Sequence, residues 1–148
     1  YIFFNPIFIG ILEVFKGKNI DYQGEQIIES LMQQNFLIVD IPSPKKIILN
    51  KIIFSEISEF FYLIEKEYVN KFQLLNSFNK MKNYNLLSLI DIIGVDTAMS
   101  ILENLNKSNN RFYIPTILKI ALLRNFLGKK NKKSISKIFH SVDYPDLI

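Results

Sequence analysis

The chain reads as a mainly α-helical protein with a small β-hairpin, a lone short strand and a possible C-terminal helix-turn-helix. Three observations predict this. Apolar residues recur at three- and four-residue spacings over long stretches, the period of a helix with one buried face. Only 36–41 (Phe-Leu-Ile-Val-Asp-Ile) and 111–114 (Arg-Phe-Tyr-Ile) are short runs rich in β-branched or aromatic residues beside turn formers. Asn, Asp, Gly and Pro fall where helix caps and turns need them.

The elements follow in chain order. Asn5 suits an N-cap and Pro6 a first helical turn. Ile7, Ile11, Val14 and Phe15 then recur at helical spacing, and Gly17 sits where a helix would end, which predicts a buried first helix. Asp21 and Gly24 open a second helix over 25–34, with Ile27, Ile28 and Leu31 on one face. The strand 36–41 meets Pro42-Ser43-Pro44-Lys45, where each proline fixes φ and restricts the residue before it. Residues 46–49 are expected to return as the second strand of a hairpin or wing near 36–50. From 52 to 78 the pattern is helical again through Ile53, Ile57, Phe60, Phe61, Ile64, Tyr68, Phe72 and Leu75, with Glu56, Glu59, Glu65 and Glu67 on the other faces. Such an aromatic stripe is read as core packing or a dimer face. The polar stretch 76–85 carries Asn76, Asn79, Asn83 and Asn85 and predicts a boundary. Two domains result: 1–85, helical with the hairpin and suited to interaction or dimerisation, and 86–148, basic and helical.

In the second half, 86–93 is apolar and helical, and Gly94 ends it in the left-handed region. Asp96 is expected to cap a helix over 97–105, and Asn106-Lys107-Ser108-Asn109-Asn110 to break it. The strand 111–114 closes at Pro115, and a helix follows over 117–126. Gly128 leads into the basic loop 129–133, and 134–139 begins a further helix; Asp143 and Pro145 could start one more. No internal repeat is visible.

Composition excludes several classes. The 148 residues are 49% hydrophobic, enough for one domain or two small ones. With no cysteine there is no disulfide framework, thiolate nucleophile or cysteine-based metal site, and a single histidine, His140, excludes histidine-pair metal sites. No Walker-type loop, dinucleotide glycine fingerprint or HExxH-type motif is present. An enzyme is therefore not predicted, and neither a cofactor nor a metal is expected. The longest uncharged run, 1–12, is well short of the roughly 20 residues that cross a bilayer. It also lacks the basic leader of a signal peptide, so a cytoplasmic protein without a membrane span is expected.

Charge is unevenly spread. Lysine outnumbers arginine sixteen to two, and with 25 Ile and 15 Asn this matches AT-rich codons, so lysine count alone carries no weight. Position does. Residues 1–103 hold nine lysines and twelve acids, whereas 104–142 hold nine cations and no acid. Those nine are Lys107, Arg111, Lys119, Arg124, Lys129, Lys130, Lys132, Lys133 and Lys137. Codon bias does not expel acids from such a stretch. A polyanion would explain it, since cations set against phosphates release condensed counterions. All nine are thus candidate nucleic-acid contacts.

The order of motifs here resembles the Mor/C family of phage transcription activators. The matching residues are Ile93-Gly94-Val95-Asp96-Thr97-Ala98, then Arg111-Phe112-Tyr113-Ile114-Pro115, then Phe126, Gly128 and Asn131, and finally Ser134-Ile135-Ser136-Lys137-Ile138-Phe139. The likeness covers about 86–148. It departs from the family at Lys107-Ser108-Asn109-Asn110, at His140 in the expected tight turn, and at Pro145. It implies a dimeric DNA-binding regulator of transcription, with a helix-turn-helix whose core is Ile135, Ile138 and Phe139. The lone strand points the same way, because its backbone groups need a partner that a second copy would supply. The expected partners are duplex DNA and a second copy of the chain. The alternative is a non-catalytic structural or adaptor subunit of a larger protein or ribonucleoprotein assembly, whose lysines meet RNA or an acidic neighbour.

Overall fold

A computed structural model describes residues 2–4, 10–17, 21–43, 48–82 and 84–143. The chain divides into two compact units, Tyr1–Ile53 and Phe54–Ile148. The protein is mainly α-helical, as expected, but its β structure is arranged differently.

In the first unit, β1 (Ile2–Phe4) runs antiparallel to β2 (Ile11–Val14), and β2 runs parallel to β3 (Leu37–Asp40). The register sets Ile11 opposite Leu37 and Val14 opposite Asp40. Parallel neighbours need a crossover, and α1 (Tyr22–Gln33) supplies it. Asp21 caps that helix as predicted, its Oδ1 accepting from the Gly24 amide at 2.8 Å. Leu12, Val14 and Ile28 form the core, with Leu31, Phe36 and Ile38 packed on it.

Two expectations fail here. The predicted first helix is the strand β2 over its described part; Asn5, Pro6 and Ile7 lie outside the described residues. A continuous apolar run fits a buried strand as well as a helix, and both faces of β2 are covered. Leu12 and Val14 are buried on one side. Glu13, also buried, caps α2 (Ile48–Glu65) by accepting from the Ile48 and Leu49 amides at 2.5 and 3.2 Å. The predicted hairpin is likewise absent. β3 pairs with β2, and Ile48 and Leu49 open a helix; residues 44–47 lie outside the described set.

The division between units falls inside α2. The second unit continues with α3 (Lys71–Lys82), α4 (Leu86–Ile93), α5 (Val95–Asn109), α6 (Thr116–Leu123) and α7 (Ile135–Ser141). The single helix expected over 52–78 is broken into α2 and α3. Glu67 takes φ +58°, and Asn70 starts α3 by accepting from the Phe72 and Gln73 amides. Phe54, Phe61, Leu86, Leu102, Ile117 and Phe139 are fully buried, so helices α2 and α4–α7 share one core. The polar stretch 76–85 lies within this unit, its first part in α3 and its last residue, Asn85, capping α4.

Residues 111–114 form no strand. The Ser58 hydroxyl on α2 accepts from the Tyr113 amide at 2.6 Å and donates to the Tyr113 carbonyl at 3.2 Å. A side chain thus supplies what a partner strand was expected to supply, which removes the ground for a homodimer built on strand pairing. Among the described residues, no helix is long and apolar enough to cross a membrane.

Candidate functional site

The acid-free segment folds around the loop that joins α6 to α7. All nine predicted cations are exposed, but they are dispersed. Lys107 lies in the last turn of α5 and Arg111 follows the left-handed Asn110; Lys119 is on α6, Arg124 is its C-cap, and Lys137 is on α7. Only Lys129, Lys130, Lys132 and Lys133 are gathered on one loop.

That loop is pinned to α4. Gly128 has φ +74°, and a Cβ on it would stand 2.5 Å from the Asp91 carbonyl oxygen, so no other residue fits there unmoved. The Lys129 amide donates to that same carbonyl at 2.9 Å, and the Gly128 amide donates to the Lys133 carbonyl at 2.8 Å. Asn131 clamps the loop from within. Its Oδ1 accepts from the Leu127 and Lys133 amides, and its Nδ2 donates to the Asn125 carbonyl at 2.8 Å.

Asp91 is buried beneath the loop. Its Oδ2 accepts from the Ser134 hydroxyl at 2.5 Å and its Oδ1 from the Ile135 amide at 2.8 Å, which satisfies the start of α7. Ser134 caps the helix further by accepting from the Ser136 amide. Asp91 was not among the predicted site residues. The available signal was one acid in an otherwise apolar helix, Leu-Leu-Ser-Leu-Ile-Asp-Ile-Ile, where a buried charge requires donors from elsewhere.

The four loop lysines have different surroundings. Lys130 donates to both Asp96 oxygens, at 2.7 and 2.9 Å, and to the Thr97 hydroxyl at 2.8 Å. This hydrogen bond holds the Asp96 carboxyl below its ordinary range. Asp96 therefore binds a lysine instead of capping α5, whose N-cap is Gly94. Gly94 abuts the same contact: at φ +93°, its Cβ would meet Lys130 Cε at 2.6 Å and displace the lysine tip. Lys133 sits over the Phe126 ring, 5.8 Å from its centroid. Lys129 and Lys132 instead edge an open cavity of about 230 Å³ lined also by Ser88, Asp91, Gly128 and Ser134.

His140 stacks on Phe72 with centroids 5.5 Å apart. Among the described residues, no group of three or more histidines and acids could hold a metal ion. The predicted helix-turn-helix is also missing from the described residues. His140, the expected turn, is inside α7, and Ile135, Ile138 and Phe139 are buried as a core helix of this unit. Residues 144–148, where a further helix was expected, lie outside the described set.

No family model and no curated protein matches the chain. Solved structures do. The fold is similar to (S)-3-hydroxybutyryl-CoA dehydrogenase PaaH1 from Ralstonia eutropha, at 19% identity and TM-score 0.68 over 90% of this chain and 49% of that one. It is similar to FadB2 from M. tuberculosis at 16% identity and TM-score 0.69, with the same coverage. It is similar to 3-hydroxybutyryl-CoA dehydrogenase from Escherichia coli K12 at 21% identity and TM-score 0.71, over 90% of this chain and 30% of that one. The chain thus spans half or less of each of these proteins. The likeness establishes a shared fold, and it overturns the expectation of a DNA-binding transcription regulator with a nucleic-acid partner. It lends no support to the expected absence of enzymatic activity.

Proposed function

We propose that this chain forms the acyl-thioester side of a dehydrogenase acting on 3-hydroxyacyl-CoA substrates. One observation carries the reading: nine-tenths of the chain follows the fold of the 3-hydroxybutyryl-CoA dehydrogenases of R. eutropha and E. coli, across both of its compact units. The basic loop is consistent with it, because coenzyme A carries several phosphate charges that exposed ammonium groups attract.

A dehydrogenase needs a hydride acceptor, and the β2–α1–β3 unit is the place to test for a dinucleotide. The described residues do not fit one. A pyrophosphate would take the free amides at the N-terminus of α1. Asp21 already takes one of them with its own carboxylate, 2.8 Å from the Gly24 amide, and its negative charge opposes a phosphate. In this reading the acceptor is held elsewhere.

The test is direct. Titrating the chain with 3-hydroxybutyryl-CoA and with acetoacetyl-CoA, followed by calorimetry, should give saturable binding of both. Failure to bind either thioester would sink the reading.

A further inference from the structure

Four lysines on a five-residue loop repel one another, and a loop free to relax would spread them. This one is not free. A glycine at positive φ, an internal asparagine clamp, a left-handed Lys132 and the contact with Asp91 fix its path. Within it, Lys130 is committed to Asp96 and Lys133 lies over Phe126, whereas Lys129 and Lys132 remain exposed on the cavity edge. Ser88 and Ser134 add hydroxyls to the lining. Two lysines face the one carboxylate of the lining, Asp91, whose oxygens already accept from Ser134 and Ile135, so the net charge of the lining is positive. At about 230 Å³ the cavity is large enough for a tetrahedral oxyanion and too small for a whole nucleotide.

We infer that Lys129 and Lys132 form a preorganised cradle for one phosphate group, with the lining residue Ser88 supplying a hydroxyl donor. Preorganisation is what separates this pair from the other exposed cations, since the loop's ordering is complete before the anion arrives. The phosphate can belong to inorganic phosphate or to coenzyme A, and the inference does not depend on the dehydrogenase reading.

Calorimetric titration of the full chain at low ionic strength, with inorganic phosphate in one arm and coenzyme A in the other, tests it. Saturable binding is expected in at least one arm. The double variant Lys129→Ala/Lys132→Ala should weaken it about tenfold or more. The control double variant Lys119→Ala/Lys137→Ala removes two exposed lysines from outside the cavity and should leave it unchanged. Coenzyme A binding well above inorganic phosphate identifies the thiol cofactor as the source, and equal affinities identify the free ion; both sustain the cradle. Equal weakening by the two double variants, or no saturable binding in either arm, overturns it. All four substitutions alter exposed side chains, and unchanged melting temperatures will confirm that the fold is intact. Because no arm measures turnover, loss of the dehydrogenase reading would leave this result standing.

Discussion

Glu65 and Asp91 are both buried carboxylates of the second unit, and both cap a helix far away in sequence. Glu65, on α2, accepts from the Thr116 and Ile117 amides at the start of α6 and from the Tyr113 hydroxyl at 2.6 Å. Asp91, on α4, does the same for α7 through Ile135 and Ser134. Glu65 is enclosed by its donors. Asp91 lines a cavity whose edge carries two exposed lysines. One device thus serves two ends: where the surroundings are closed it only organises the core, and where they are open it also anchors a charged loop.

Removing the caps should break this comparison in order. Glu65→Ala strands three donors and should cost the most, about 4 kcal/mol. Asp91→Ala strands two and should cost about 3 kcal/mol. Urea unfolding of both variants measures the order, and a reversal would mean that the loop, and not the cap, dominates at Asp91. Gly128→Ala should follow at about 2 kcal/mol, since the loop must lift from α4 to admit a Cβ. Lys130→Ala should cost least, below about 1 kcal/mol, because the Lys130–Asp96 pair is nearly half exposed.

Acidity sharpens the same contrast. The Asp96 carboxyl is held below its ordinary value of 3.8, so its contribution is present above that pH and is lost as pH falls through the lowered value. The small stability difference between wild type and Lys130→Ala should therefore vanish in strong acid. Beside Glu65, burial and the carboxylate push the Tyr113 phenol up to about 12. Its raised value stabilises the protonated fold below pH 10, an advantage that drains away as pH rises from there toward 12. Tyr113→Phe should lose this alkaline component, as denaturation across that window would show.

What the sequence made legible was local. The helix α1 with its Asp21 cap, the strand β3, α4 with the break at Gly94, and the start of α7 near Ser134 all follow from neighbouring residues. What escaped was long-range. Glu13, Glu65 and Asp91 meet their partners 35 to 52 residues away, and no local pattern announces those meetings. β2 looked helical because Ile11 and Val14 also fit a helical spacing, and only its pairing with β3 decides. The site was half legible. The lysine loop stood out by charge, but charge could not say that Lys130 serves Asp96 and Lys133 an aromatic ring while Lys129 and Lys132 remain on the cavity edge.

The Ser58 hydroxyl has one last implication. By holding both backbone groups of Tyr113, it gives an irregular segment the protection normally reserved for sheets. In heavy water that one amide should retain its proton on the timescale of the core helices.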